Sequence, residues 1–111
     1  MTHVVNEDNP QYNSDGGNDT EDKVFLLSIE EANKYFTEDE SRKCIPTQYT
    51  DYKEEYFMIR HYTGTYQWWL RSPGFNGGYA AYVYRDGQVD RIGDCVDRED
   101  IVRPAMWINL E

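Results

Sequence analysis

The sequence predicts an α+β fold. Three features predict it: a capped helix in the first third, a strand-rich second half, and an Asp86-Gly87 pair between two strand-like runs. Helices gathered at one end of a chain and strands at the other favour helices packed on an antiparallel sheet.

The elements follow in order. Residues 1–22 hold six acids (Glu7, Asp8, Asp15, Asp19, Glu21, Asp22), no Lys or Arg, and few large apolar side chains. Such a stretch buries too little apolar surface to offset chain entropy, so a loosely ordered acidic lead-in is expected. Asn9-Pro10 and Gly16-Gly17 mark turns within it. A single domain is expected over 23–111. It starts with Lys23–Leu27 as a short buried strand. Ser28 then reads as a helix N-cap, with Glu31 at the capping-box spacing. The helix is expected over Ile29–Phe36, with Ile29, Ala32 and Phe36 on one face. A shorter turn is expected near Glu38–Arg42. After Pro46, Thr47 caps a possible third helix carrying Tyr49, Tyr52 and Tyr56, which more often dock a helix than form a ligand box.

From Tyr62 the texture changes. Tyr62–Arg71 is rich in aromatics and Thr and favours strand. Ser72 to Gly78 forms a loop, and Tyr79–Tyr84 resumes a strand. Asp86-Gly87 turns a hairpin, and Gln88–Ile92 pairs back. Gly93-Asp94 is a bulge or turn. Ile101–Leu110 is a last strand, kinked or at an edge because of Pro104.

Composition narrows the function classes. The 111 residues fit one domain, and 21 acids against 11 bases leave a formal charge of −10. That argues against general nucleic-acid binding, which needs cations opposite phosphates, and against anionic membranes. No run of 18 apolar residues exists, and residues 1–8 do not read as a signal peptide. The compartment stays open. Ten tyrosines and three tryptophans carry much of the apolar content and suit a contact surface. Cys44 and Cys95 read as small buried thiols more readily than as a disulfide.

Asp22–Ala32, then Arg42, Pro46-Thr47 with Tyr49, Trp68-Trp69-Leu70-Arg71-Ser72-Pro73-Gly74, Ala80–Val83, Asp86-Gly87 with Val89, and Val102–Ile108 form an ordered set of motifs. Together they resemble an uncharacterised bacterial domain found in gut and phage-like contexts, over residues 19–110. That family looks like a relative of the C-type-lectin-like fold, shared by formylglycine-generating enzymes and the variable proteins of diversity-generating retroelements. The resemblance implies a short twisted antiparallel sheet with two helices and long loops. It also implies upstream strands ahead of Lys23, so the chain is expected to be a truncated member, a fragment, or a form that takes the missing strands from a second copy. An exposed sheet edge would then favour a homo-oligomer. The copper-binding cysteines of the enzymes do not map onto Cys44 and Cys95, so that chemistry is not carried over.

The residues sort into scaffold and surface. Arg71 and Arg103 sit in apolar stretches, where an unpaired charge is costly. Each is expected to tie a strand end to an acid such as Asp86, Asp94 or Asp97, and Arg103→Leu to lower stability. Trp68 and Trp69 are adjacent and so face opposite sides of a strand. Trp107 is assigned to the core. The candidate binding surface is Phe75, Asn76, Tyr79, Tyr82 and Tyr84, a mixture resembling paratope chemistry. A structural loop of that composition is an equal alternative. The acidic clusters read as solvated loops, His3 and His61 are isolated, and no metal or other cofactor is expected. No nucleophile has a local base, and no phosphate loop or Ser elbow appears, so an enzyme is not expected. The leading expectation is a non-catalytic module that binds a protein or a glycan on another surface. The alternatives are a self-assembly module and, in another class, a degenerate metal-dependent enzyme domain.

Overall fold

The computed structural model describes residues 1–45, 65–98 and 100–108. The helix expected after Thr47 and the first residues of the strand expected from Tyr62 lie outside them. The protein is α+β. Among the described residues it has strands β1 (Thr2–Val4) and β2 (Thr20–Asp22), helices α1 (Ile29–Tyr35) and α2 (Asp39–Arg42), and strands β3 (Trp68–Pro73), β4 (Tyr79–Val83) and β5 (Val89–Cys95). β1 and β2 form one antiparallel sheet, and β3-β4-β5 form a second with β4 in the middle.

Helix α1 starts where its cap dictates. The Ser28 side chain accepts from the Glu31 N–H, and Glu31 accepts from the Ser28 N–H at 3.0 Å. The Ile29 N–H, which has no partner within the helix, donates to the buried Ser72 hydroxyl at 2.9 Å. That bond docks the helix end on β3. Ile29 and Ala32 then point into the core.

β3 alternates strictly between buried and half-buried residues. Trp68 and Leu70 face inward with Ala81 and Val83 of β4, under Ile29 and Ala32. Full burial of each large side chain stabilises by about 1.5–3 kcal/mol. The indole N–H of Trp68, inside this core, donates to the Arg42 carbonyl at 2.9 Å. Arg42 is itself buried. Its guanidinium donates to the Gly87 carbonyl at 2.7 Å and also bonds the Phe36 carbonyl and Asp39. Gly87 sits at φ +91° and lies so close to Asp39 that a Cβ would meet its carbonyl oxygen at 1.8 Å. The hairpin turn and α2 are therefore locked together.

Two expected strands shrink to single bridges. Phe25 and Ala105 exchange both backbone hydrogen bonds, at 2.9 and 2.7 Å, and Ile101 bridges Trp68 in parallel. The stretch from Ile101 thus leaves β3 for a different partner within four residues. Pro104 lies between the two contacts and has no N–H to continue either ladder. β3 also runs on through Ser72 and Pro73, which the sequence placed in the loop. Pro73 is tolerated there because it ends the strand, just past a register shift.

The stretch expected as an acidic lead-in carries β1 and β2 and packs against the main sheet. Its anchor is Asn9, only 1% exposed.

Candidate functional site

The site begins with a fault in β5. Tyr82 pairs with Asp90 and Ala80 with Asp94, so three residues of β5 (Arg91, Ile92, Gly93) oppose the single Ala81 of β4. Gly93 takes φ +93° at this bulge. The fault turns the Arg91 and Ile92 carbonyls out of the ladder toward new partners. The Phe75 N–H donates to Ile92 O at 2.9 Å, and the Asn9 side chain donates to Arg91 O at 2.9 Å.

Asn9 does more. Its amide nitrogen also donates to Pro73 O at 2.8 Å, and its oxygen accepts from the Gln11 and Tyr12 N–H groups at 2.8 and 2.9 Å. All four hydrogen-bonding positions of the carboxamide are filled. The Ser14 hydroxyl bonds the Gly74 carbonyl beside it. The segment 9–14 is therefore pinned over the sheet, with Tyr12 edge-on to Phe75 at 6.3 Å.

This arrangement makes a cleft of about 460 Å³. Tyr82 and Tyr84 from β4 and its exit form one wall, with rings 6.3 Å apart and nearly perpendicular. Gln11 and Tyr12 form another, and Asp86, Gln88, Asp90 and Arg91 supply the polar rim. Burial, and then Asp90, Asp94 and Asp100, push the Tyr82 phenol far above its ordinary value, so it stays protonated. Arg85 lies over the Tyr84 ring at 4.4 Å.

Of the five candidate residues, the structure brings Tyr82 and Tyr84 together in the cleft. Phe75 and Tyr79 form a separate pair, 4.5 Å between ring centres, reached from the cleft through Tyr12. Asn76 spends its side-chain oxygen on the Gly78 N–H at 2.8 Å and shapes the loop. The Cys95 thiol beside Tyr79 pushes its phenol up. Gln11, Tyr12, Gln88 and Asp90 were not picked out from sequence. The Asn9-Pro10 turn signal was visible, but its partner strand lies 82 residues away.

Five residues were assigned to the scaffold, and the structure departs from the expected setting of three of them. Trp68 is fully buried, and Trp69 is half-buried on the other face, opposite Tyr82. Arg71 does tie elements together, but not to Asp86, Asp94 or Asp97. It bonds Glu31, the Leu26 and Val5 carbonyls at 2.8 Å each, and Asn6 at 3.2 Å. Leu26 and Glu31 reach it because β3 runs beside the start of α1, and Val5 and Asn6 come from the stretch just after β1. Burial raises the Glu31 carboxyl, but the bonds from Arg71 and Ser28 outweigh it and hold the group below its usual range. Arg103 has no acid partner among the described residues. Its guanidinium lies over the Phe36 and Trp68 rings at 5.0 and 4.9 Å and donates to the Arg42 carbonyl at 3.5 Å, so ring faces and a carbonyl replace the expected carboxylate. Trp107 is not in the core. It is 60% exposed and meets Tyr35 edge-on at 5.9 Å, two residues past the Phe25–Ala105 bridge.

Behind Tyr82, Asp100 accepts from Gln67 at 3.0 Å with one oxygen, and its other oxygen is buried with no hydrogen-bond donor among the described residues. Burial and the neighbouring Asp94, against the Gln67 bond, push this carboxyl up to about 6. Among the described residues no three His, Cys, Asp or Glu side chains are grouped to hold a metal, and no helix is long and apolar enough to cross a membrane.

The family described as Domain of unknown function (DUF6273) matches residues 1–110, and the chain belongs to it. The match takes in the acidic stretch that Asn9 anchors. No curated protein and no solved structure matches the chain.

Proposed function

We propose that this domain is a non-catalytic binding module whose contact surface is the cleft of Tyr12, Tyr82 and Tyr84. One observation carries the reading: segment 9–14, pinned by a fully bonded Asn9, holds Tyr12 across from the Tyr82–Tyr84 pair. Rings on a rigid frame offer contact area at low entropic cost, and the polar rim orients what they hold. The ligand class is a protein segment or a glycan on another surface. A C-type-lectin-like kinship is part of this proposal. A small antiparallel sheet, two short helices, long irregular connections and a tryptophan-bearing strand support it.

Catalysis is not proposed. Burial pushes the Cys44 thiol up, the wrong direction for a nucleophile. The degenerate-enzyme alternative would need a nucleophile activated elsewhere.

Self-assembly is the second reading, and the exposed apolar side chains of Val102, Met106, Trp107 and Ile108 favour it. The edge strand β5 favours it less. Its bulge and its Asp90, Arg91 and Asp94 are features that blunt edge pairing.

The test is a glycan and peptide array probed with the full chain, followed by titration of any hit. Tyr84→Ala is expected to abolish binding with little change in Tm. Undiminished binding by that variant would remove the cleft from the reading. Concentration-dependent light scattering with no array hit would favour self-assembly.

A further inference from the structure

We infer that the group taken by this cleft is a cationic side chain, the Lys or Arg of a basic protein segment. The inference rests on the reading of the cleft as a binding site and names its ligand class.

Charge is the first ground. Asp86 and Asp90 stand in the cleft, and each is oriented by the backbone. Asp86 accepts from the Gln88 N–H at 2.9 Å, and Asp90 from the Ile92 and Gly93 N–H groups at 3.0 and 3.1 Å. Each carboxylate is thereby held with little freedom to lose on binding. Asp94 and Asp100 add negative potential behind Tyr82. The whole chain carries −10, so a basic partner is attracted from a distance.

Ring chemistry is the second ground. The faces of Tyr82 and Tyr84 carry negative quadrupole charge, which attracts ammonium and guanidinium groups. The molecule already uses this contact, with Arg85 over Tyr84 at 4.4 Å. An anionic ligand would meet the same carboxylates at a cost. A neutral sugar would stack on the rings and donate hydroxyls to the carboxylates, but would leave their charge uncompensated. Among the described residues lining the cleft Arg91 is the cation, and it is exposed at the rim.

The test is an NMR titration of the full chain with three probes. They are a blocked Gly-Gly-Lys-Gly-Arg-Gly-Gly peptide, the same peptide with norleucine at both basic positions, and cellotriose. Expected are saturable shifts at Gln88, Asp90, Tyr82 and Tyr84 with the basic peptide only, weakened by salt. The double variant Asp86→Asn/Asp90→Asn keeps the side-chain oxygens that accept the backbone bonds and removes both charges. It is expected to weaken binding about tenfold with Tm preserved. Equal binding of the norleucine peptide overturns the inference. So does cellotriose moving these resonances while the peptide does not, and in that case the cleft still stands as a binding site. If none of the probes moves a cleft residue, the inference and the reading beneath it fall together.

Discussion

The Asn9 side chain donates to the Arg91 carbonyl at 2.9 Å, joining the acidic N-terminal stretch to the bulge of β5 across 82 positions of sequence. The same carboxamide bonds Pro73 and two amides of its own turn. Asn9→Ala strips partners from buried groups on both sides. A loss of about 3 kcal/mol is expected, since each stranded buried group costs about 1–3 kcal/mol. Urea unfolding measures it. Faster hydrogen exchange at the Gln11 and Tyr12 amides should accompany it. If exchange there is unchanged, Asn9 does not hold the segment.

Arg71 and Glu31 form a largely buried ion pair, their side chains 14% and 25% exposed. Removing one partner leaves the other uncompensated, so Arg71→Met should cost about 3–5 kcal/mol. A double-mutant cycle with Glu31→Gln checks it. A coupling energy near zero would show that Arg71 acts through Asn6 and the Val5 and Leu26 carbonyls instead.

Asp100 gives stability a pH dependence. Its carboxyl is raised from 3.8 to about 6 by burial and by Asp94. The folded state therefore binds this proton more tightly than the unfolded chain does. The stabilising contribution is fully present below about 4 and is lost as pH rises through 6. Asp100→Asn mimics the protonated form and can donate toward Asp94. It should raise Tm at pH 8 and leave it nearly unchanged at pH 4. An equal gain at both values would point to a cause other than titration.

Two tryptophans should behave oppositely. Trp68 is fully buried beneath α1 and bonded to Arg42, so Trp68→Ala should cost about 3–5 kcal/mol. Trp107 is 60% exposed, and Trp107→Ala should change stability by about 1 kcal/mol or less. Thermal melts of both variants decide it. A large loss with Trp107→Ala would mean that its face is covered in solution by another copy or partner.

What the sequence determined by itself was local. The Ser28–Glu31 capping box, the alternation that puts Trp68 and Trp69 on opposite faces, and the Asp86-Gly87 turn each depend on residues within a few positions, and each is present. They were legible because their physics is hydrogen bonding and side-chain direction at short range. Tertiary structure alone decided the rest. The choice of Glu31 as partner of Arg71, the ring faces under Arg103, the exposure of Trp107 and the seat of Asn9 in the β5 bulge are all contacts between distant segments. A guanidinium or a carboxamide in a buried place needs a partner, but the sequence states only the need. Which group meets it depends on where packing brings the chain. For that reason two of the five candidate residues, Tyr82 and Tyr84, meet in a cleft whose other wall is drawn from residues 11 and 12.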